Sequence, residues 1–283
     1  MITCNLMGGL GNQIFQIFTT ISYAIKTHNE FKFTNATSLG SGTSTVRQTY
    51  WNSFFSRLKF FTTSNFPNLH VIREKNFTYN ELPIQEMINN NILLHGYFQS
   101  YKYFESDYEF ICKIIGLTNM KENVLKKMNY DLDYLKNTIS LHFRLGDYKS
   151  LQHFHPIMPK EYYEKCLHYI LNHCGDSNNG LNVMYFCEDD DIDDVQIKIM
   201  YLSDKFPEVR FARGENKLED WEQMLLMSCC HHNIIANSSF SWWGAYFNSW
   251  DDKIICYPSI WFGERANINT DDLCPPNWTK IDS

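Results

Sequence analysis

Three short segments of this sequence gather residue types that handle anions and sugars. The first is Gly8-Gly9-Leu10-Gly11-Asn12-Gln13. Glycines let a backbone come close to a ligand, and a helix starting there offers free N–H groups and a partial positive charge. Asn12 at such a turn can cap the helix or donate its amide to a phosphate or sugar. The same segment also fits a tight strand-to-helix turn with no ligand. A dinucleotide fingerprint fits less well, because Ile14 stands where a third small residue belongs.

The second segment is His142-Phe143-Arg144-Leu145-Gly146-Asp147-Tyr148. On a strand, His142 and Arg144 share a face. An arginine at a strand's carboxyl end can hold a diphosphate through two parallel charge-assisted bonds. Asp147 can orient Arg144 or His142, or bind a sugar hydroxyl. The plain alternative is an Arg–Asp ion pair closing the strand. The third segment is Ala236-Asn237-Ser238-Ser239-Phe240-Ser241-Trp242-Trp243-Gly244. Its Asn and Ser side chains, with free N–H groups of a helix opening there, form a second anion site, or simply a helix cap. The aromatic rings suit either stacking on a base or sugar or core packing; for the tryptophans core packing is the better reading.

Two conspicuous runs carry less. Cys229-Cys230-His231-His232 resembles a metal site, but adjacent residues do not converge on one ion, and structural zinc sites space their ligands. The acidic run Glu188–Asp194 reads as the cap of a following helix, where carboxylates complement the helix dipole. One early member of that run is also placed to reach a nucleotide.

These segments need elements to position them. An apolar stretch at 1–6 reads as a buried strand, and Ile14, Ile17, Phe18, Ile21 and Ile25 form the stripe of a helix after it. Residues 35–80 are aromatic and weakly periodic, and residues 81–135 read mainly as helix with a strand at Ile92–His95. From residue 138 strands alternate with helices: strands at Thr138–Phe143, Asn182–Cys187, Val209–Phe211, His232–Ala236 and Lys253–Cys256, helices at Pro159–Asn172, Ile192–Ser203 and Leu218–Cys229, and one opening near Ser239. That alternation predicts a parallel sheet covered on both faces, with ligands at the carboxyl ends of its strands.

Composition sets the frame. The 283 residues suffice for one large domain or two ordinary ones. A net charge of −7 argues against non-specific nucleic-acid binding, which needs a basic surface. Nine cysteines without regular spacing fit a reducing compartment. No signal-peptide or membrane-span pattern is present, so the expectation is a soluble, cytoplasmic protein.

In order and spacing, the three segments resemble the α-1,2-fucosyltransferases of glycosyltransferase family 11. That family's Gly-Gly-Leu-Gly-Asn-Gln turn matches 8–13, its His-x-Arg-Arg-Gly-Asp-Tyr motif matches 142–148 apart from Leu145, and its Ile-Ala-Asn-Ser-[Ser/Thr]-Phe-Ser-Trp-Trp-Gly-Ala block matches 235–245. The resemblance implies an α/β fold of the GT-B kind, with two Rossmann-like domains and a cleft between them. An acceptor-side domain would cover 1–135 and a GDP-sugar-binding domain 136–283. The implied activity is inverting transfer of L-fucose from GDP-fucose to the 2-hydroxyl of a galactoside acceptor glycan, without a cofactor or metal. Another GDP-sugar or linkage, or GDP-sugar binding without catalysis, are the alternatives. By motif match Arg144 would hold the pyrophosphate with His142 and Asp147 in support. Asn237, Ser238, Ser239 and Phe240 would line the donor pocket, and Gly9, Gly11 and Asn12 would face the phosphates. Asp147 and His155 are both candidates for the base that takes the acceptor proton. Leu145 replaces the family's usual second arginine.

Overall fold

The apolar run at the N-terminus forms β1 (Ile2–Cys4), and the helical spacing after it forms α1 (Leu10–Lys26). The structure, a computed structural model, describes residues 1–40, 46–84, 90–174 and 180–283. α1 is wider in its burial than a stripe: Gln13, Gln16, Thr19, Thr20 and Ser22 are buried along with Ile14, Ile17, Phe18 and Ile21. Bonds offset part of the cost of leaving water for Gln13, Gln16, Thr20 and Ser22, whereas the Thr19 hydroxyl has no partner among the described residues. Gln13 Nε2 donates to the carbonyls of Gly8 (3.1 Å) and Gln48 (2.9 Å), Gln16 Oε1 accepts from the Met7 N–H (2.9 Å), and Thr20 donates to the Gln16 carbonyl (2.7 Å).

The chain divides into two compact units, Met1–Asn119 with Asn269–Pro275, and Met120–Ile268 with Pro276–Ser283. In the first, β2 (Phe33–Thr34), β3 (Ser38–Leu39), β4 (Arg47–Gln48) and β5 (Thr62–Thr63) form two short ladders, β2 with β5 and β3 with β4. β6 (His70–Arg73) and β7 (Ile92–His95) join β1 in a parallel sheet of order β1-β7-β6. The helical expectation for 81–135 holds only from α2 (Tyr108–Ile115) onward. The part at 85–89 lies outside the described residues. Between β7 and α2 the chain runs instead as a bonded turn and short 3-10 helices, fastened by Ser100 and Lys102 to Asp272.

α3 (Leu117–Met128) and α4 (Leu132–Lys136) lead to the second unit's sheet. Its strands and helices alternate: β8 (Thr138–His142), α5 (Lys160–His173), β9 (Asn182–Phe186), α6 (Ile192–Lys205), β10 (Arg210–Arg213), α7 (Asp220–Cys229), β11 (His232–Ile234), α8 (Ser239–Tyr246), β12 (Ile255–Pro258) and β13 (Thr279–Ile281). Each predicted strand is present, with no end shifted by more than two residues; β13 is an addition whose three residues give no periodic signal. All neighbours pair in parallel, in the order β10-β9-β8-β11-β12-β13. Counted along the chain within this unit, that is 3-2-1-4-5-6, the doubly wound order. Ile139, Leu141, Val183 and Ile234 from the strands meet Tyr162, Tyr163, Leu167, Val195 and Leu202 from the helices in one buried core.

Candidate functional site

The strand order of the second unit reverses between β8 and β11, which lie side by side. From β8 the chain winds one way to β9 and β10, and from β11 the other way to β12 and β13. Two loops therefore leave this point in opposite directions and open a crevice beyond the strands' carboxyl ends, where doubly wound sheets bind ligands. His142 ends β8 and Phe143–Tyr148 follow it, while Asn237 and Ser238 lie between β11 and α8, which Ser239 and Phe240 open.

The sheet ladder continues one bond past β8, as the Phe143 N–H donates to the Phe186 carbonyl (2.8 Å). Arg144 then emerges. Its guanidinium pairs with Asp147 (2.6 Å) and with Glu188, and lies 5.2 Å from the centre of the Tyr148 ring. The Arg–Asp pair anticipated as the plain alternative is thus formed. Burial alone would lower the Arg144 pKa, but the Glu188 and Asp147 carboxylates outweigh it and hold the cation more firmly. The guanidinium has five N–H donors, more than these two pairs use, so it can still take an anion.

Tyr148 joins the two loops. Its hydroxyl donates to the Asn237 carbonyl (3.1 Å), and its ring stacks on His155 at 4.8 Å. His155 in turn lies 5.6 Å from Phe262. Guanidinium, phenol, imidazole and phenyl so form one continuous row. Burial lowers the His155 pKa, with Arg144 adding to the effect and Asp147 opposing it. The imidazole is therefore mostly neutral at pH 7 and able to accept a proton.

Asn237 is buried. Its amide Nδ2 donates to the carbonyls of Pro156 (2.9 Å) and Trp261 (3.0 Å), while its Oδ1 has no hydrogen-bond partner among the described residues. His142 is also buried, 5.5 Å from the Phe240 ring, with Nδ1 unpaired among the described residues. Two orphaned polar atoms at one crevice are a mark of a binding site, since buried polar groups are normally satisfied. Ser238 is the N-cap of α8 and accepts from the Phe240 N–H (3.3 Å); Ser239 is the helix's first residue. Trp242 and Trp243 are fully buried and pack on Tyr246, Trp278 and Phe247, so they serve the core.

The acidic run opens α6 as expected, with Asp191 at the N-cap position and Asp193 and Asp194 in the first turn, but it also reaches the neighbouring loop. Asp191 makes no side-chain cap bond; its nearly inaccessible carboxylate accepts from the Gly146 N–H (2.7 Å) and pairs with Lys149 (2.8 Å). Glu188 reaches Arg144, and Asp189 pairs with Arg213. The run thus fastens the Arg144 loop, because β9 lies next to β8. Gly146 is required there: its φ is +36°, and a Cβ would meet the Glu188 carboxylate at 2.9 Å.

Gly9, Gly11 and Asn12 lie in the first unit, after β1. Gly8, at φ +76°, makes the turn, and Gly9 is the N-cap of α1. Asn12 is inside the first turn of α1 rather than at its cap, and its Oδ1 accepts from Gln99 Nε2 (2.8 Å). A Cβ on Gly9 would meet nothing within 4 Å among the described residues, which leaves room for an approaching group.

The Cys229–His232 run is built into the frame. His231 bridges the Lys136 carbonyl and Asp252, each at 2.7 Å, and His232 accepts from the Ile254 N–H (3.0 Å) while facing Cys174 Sγ. Burial, followed by Arg144, lowers the His142 pKa to about 3; burial, followed by His231, lowers that of His232 to about 4. In an unfolded chain both would titrate near 6.5. Between those values the unfolded state binds the extra protons, so stability is full above pH ~6.5 and falls as pH drops toward ~4. Urea unfolding midpoints measured from pH 7.5 to 4.5 should therefore decline, and the decline should shrink in His232→Gln. A flat profile in the parent protein would contradict the buried, neutral state of both rings.

Residues 1–282 match the family model described as Glycosyl transferase family 11. The chain belongs to glycosyltransferase family 11. This glycosyltransferase is 28% identical to an alpha-1,2-colitosyltransferase of Escherichia coli, over 100% of its own length and 99% of the relative's. It is 32% identical to the O-antigen biosynthesis glycosyltransferase WbnK of Escherichia coli, over 80% of its length and 74% of that protein's. Among solved structures it is similar to a mutant of Arabidopsis thaliana FUT1 in complex with GDP, with 10% identity, a TM-score of 0.48 and coverage of 90% of this chain and 69% of that one. No helix among the described residues of the glycosyltransferase is long and apolar enough to cross a membrane.

Proposed function

We propose that this glycosyltransferase moves L-fucose from GDP-fucose to the 2-hydroxyl of a galactoside acceptor, inverting the anomeric centre and using no metal. The observation that carries the reading is Arg144, held by Glu188 and Asp147 and linked through Tyr148 to Asn237, at the switch point of a doubly wound sheet. As the glycosidic bond breaks, the GDP leaving group gains negative charge. A preorganised guanidinium and the N-terminus of α8 stabilise that charge in the role a metal takes elsewhere. In this reading the second unit holds the donor and the first unit binds the acceptor, and Gly9, Gly11 and Asn12 are proposed as ligand contacts. His142 Nδ1 and Asn237 Oδ1 supply polar contacts to the donor. Asp147 is engaged by Arg144, whereas His155 is neutral with a ring face, not its nitrogens, occupied by Tyr148; His155 is thus the better placed base for the acceptor hydroxyl.

The colitosyltransferase relative favours a second reading, transfer of colitose in the same linkage. One assay decides: purified protein with EDTA, a panel of nucleotide sugars including GDP-fucose, and an array of galactoside glycans, with the product linkage read by NMR. Fucose transfer to O2 is the expected outcome. Exclusive use of another donor would overturn the donor assignment, strict dependence on a divalent metal would overturn the charge-stabilising role given to the protein, and GDP binding without turnover of any donor would mark a non-catalytic chain.

A further inference from the structure

The turn after β7 in the first unit, Gly96-Tyr97-Phe98-Gln99-Ser100, is fixed at every residue and exposes a single ring. The half-buried Glu74 carboxylate, at the end of β6, accepts from the N–H groups of Tyr97 (2.7 Å) and Phe98 (2.9 Å). Gly96 packs so closely on Glu74 that a Cβ would lie 2.3 Å from that side chain's own Cβ. Phe98 is held at φ +53°, a conformation that residues with side chains rarely adopt. Gln99 donates to Asn12 (2.8 Å) in the glycine-rich turn, and the Ser100 hydroxyl donates to the Asp272 carbonyl (2.6 Å). The outcome of all this fastening is that Phe98, Gln99 and Ser100 are 0%, 8% and 0% exposed, whereas Tyr97 between Gly96 and Phe98 is 41% exposed.

An isolated exposed tyrosine needs no explanation. A tyrosine presented by a turn whose next residue is left-handed and whose N–H groups at 97 and 98 are held by Glu74, at the carboxyl end of a parallel sheet, does, because such positions are where these sheets meet ligands and where strained backbone gathers. The turn's own charge is the Glu74 carboxylate, which repels phosphate, and Lys102 is tied to Asp272. The chemistry that remains suits a neutral ligand with an apolar face, and a pyranose presents such a face through its ring C–H groups. We propose that Tyr97 is the stacking platform for the acceptor sugar, with the Glu74-bonded turn as its positioning frame. This assignment rests on the reading of the protein as a transferase acting on a galactoside acceptor.

The test uses the full chain with Tyr97→Ala and Tyr97→Phe, both checked for an unchanged melting temperature. Lactose is varied as acceptor at saturating GDP-fucose, GDP affinity is measured by calorimetry, and lactose binding is followed directly by saturation-transfer NMR without donor. Tyr97→Ala should raise the KM for lactose about 10-fold, equivalent to one lost contact of moderate strength, leave GDP affinity as it was, and abolish the NMR signal. Tyr97→Phe should restore most of the acceptor affinity. An unchanged KM in Tyr97→Ala would overturn the proposal, as would a parallel loss of GDP affinity, which would give the ring to the nucleotide. If the parent protein does not turn over GDP-fucose, the donor reading fails alone and the NMR arm still decides. There, a lactose signal lost in Tyr97→Ala supports the platform, and the same signal in both proteins, or none in either, overturns it.

Discussion

Arg144→Lys is expected to lower kcat by roughly 100- to 1,000-fold, the usual loss when a preorganised group that stabilises transition-state charge is removed. Lysine keeps the positive charge but has one ammonium where arginine has a planar fork. The fork at Arg144 engages Asp147 through one terminal nitrogen and Glu188 through the other. A lysine can keep one of those partners or turn to the diphosphate, but it cannot hold both carboxylates and a phosphate in fixed geometry. The loss should appear in kcat more than in GDP affinity, because a ground-state diphosphate still finds a cation while the developing charge loses its aligned donors. Steady-state kinetics at saturating acceptor, with GDP binding measured separately by calorimetry, distinguish these effects. Near-normal turnover in Arg144→Lys would remove Arg144 from the charge-stabilising role. Equal losses in GDP affinity and in kcat/KM would reduce it to simple binding.

The switch-point site was legible in the sequence to the extent that its parts are local. Arg144 and Asp147 sit three residues apart, so their pairing follows from one motif. Ser238 and the opening of α8 follow from cap chemistry, and the strands of the second unit follow from apolar runs at regular spacing. What escaped is what only strand order creates. Glu188 and Asp191 lie 44 and 45 residues from the loop groups they hold, and nothing in their local sequence says that β9 neighbours β8. A helix-capping argument placed those carboxylates on their own element, whereas a cation and a free N–H next door bind them better. The capping alternative for Asn12 failed for a related reason: it sits inside the first turn of α1, its Oδ1 accepts from Gln99, 87 residues away, and Gly9 leads the helix without a side-chain cap. Tyr97 gave no signal at all, because its significance lies in the bonds its neighbours make.

Leu145→Arg is expected to destabilise the second unit by about 3–5 kcal/mol, the range seen when a buried charge lacks its partner. Family 11's pattern suggested the opposite, since an arginine is usual at this position and its replacement could be read as a lost donor contact. The structure places Leu145 at 4% exposure in the hydrophobic core, in the cluster that includes Phe143, Met158, Tyr163 and Val195. A side chain there points away from water, and its surroundings have been filled by apolar groups suited to leucine. The residue therefore contributes packing beneath the Arg144 loop rather than leaving a gap in the site. Restoring the family's arginine in isolation would force a guanidinium among those apolar side chains or push it out and tear the loop from its Asp191 anchor. Urea unfolding should show a lower midpoint for Leu145→Arg, whereas Leu145→Met, which keeps volume and polarity, should stay within ~1.5 kcal/mol of the parent. If Leu145→Arg matched the parent in stability and also tightened GDP binding, the side chain at 145 would have to face the donor, and the packing role would fall. The activity of Leu145→Met separates the two effects further: packing predicts near-parental turnover, because the fork at 144 and its two carboxylates are untouched.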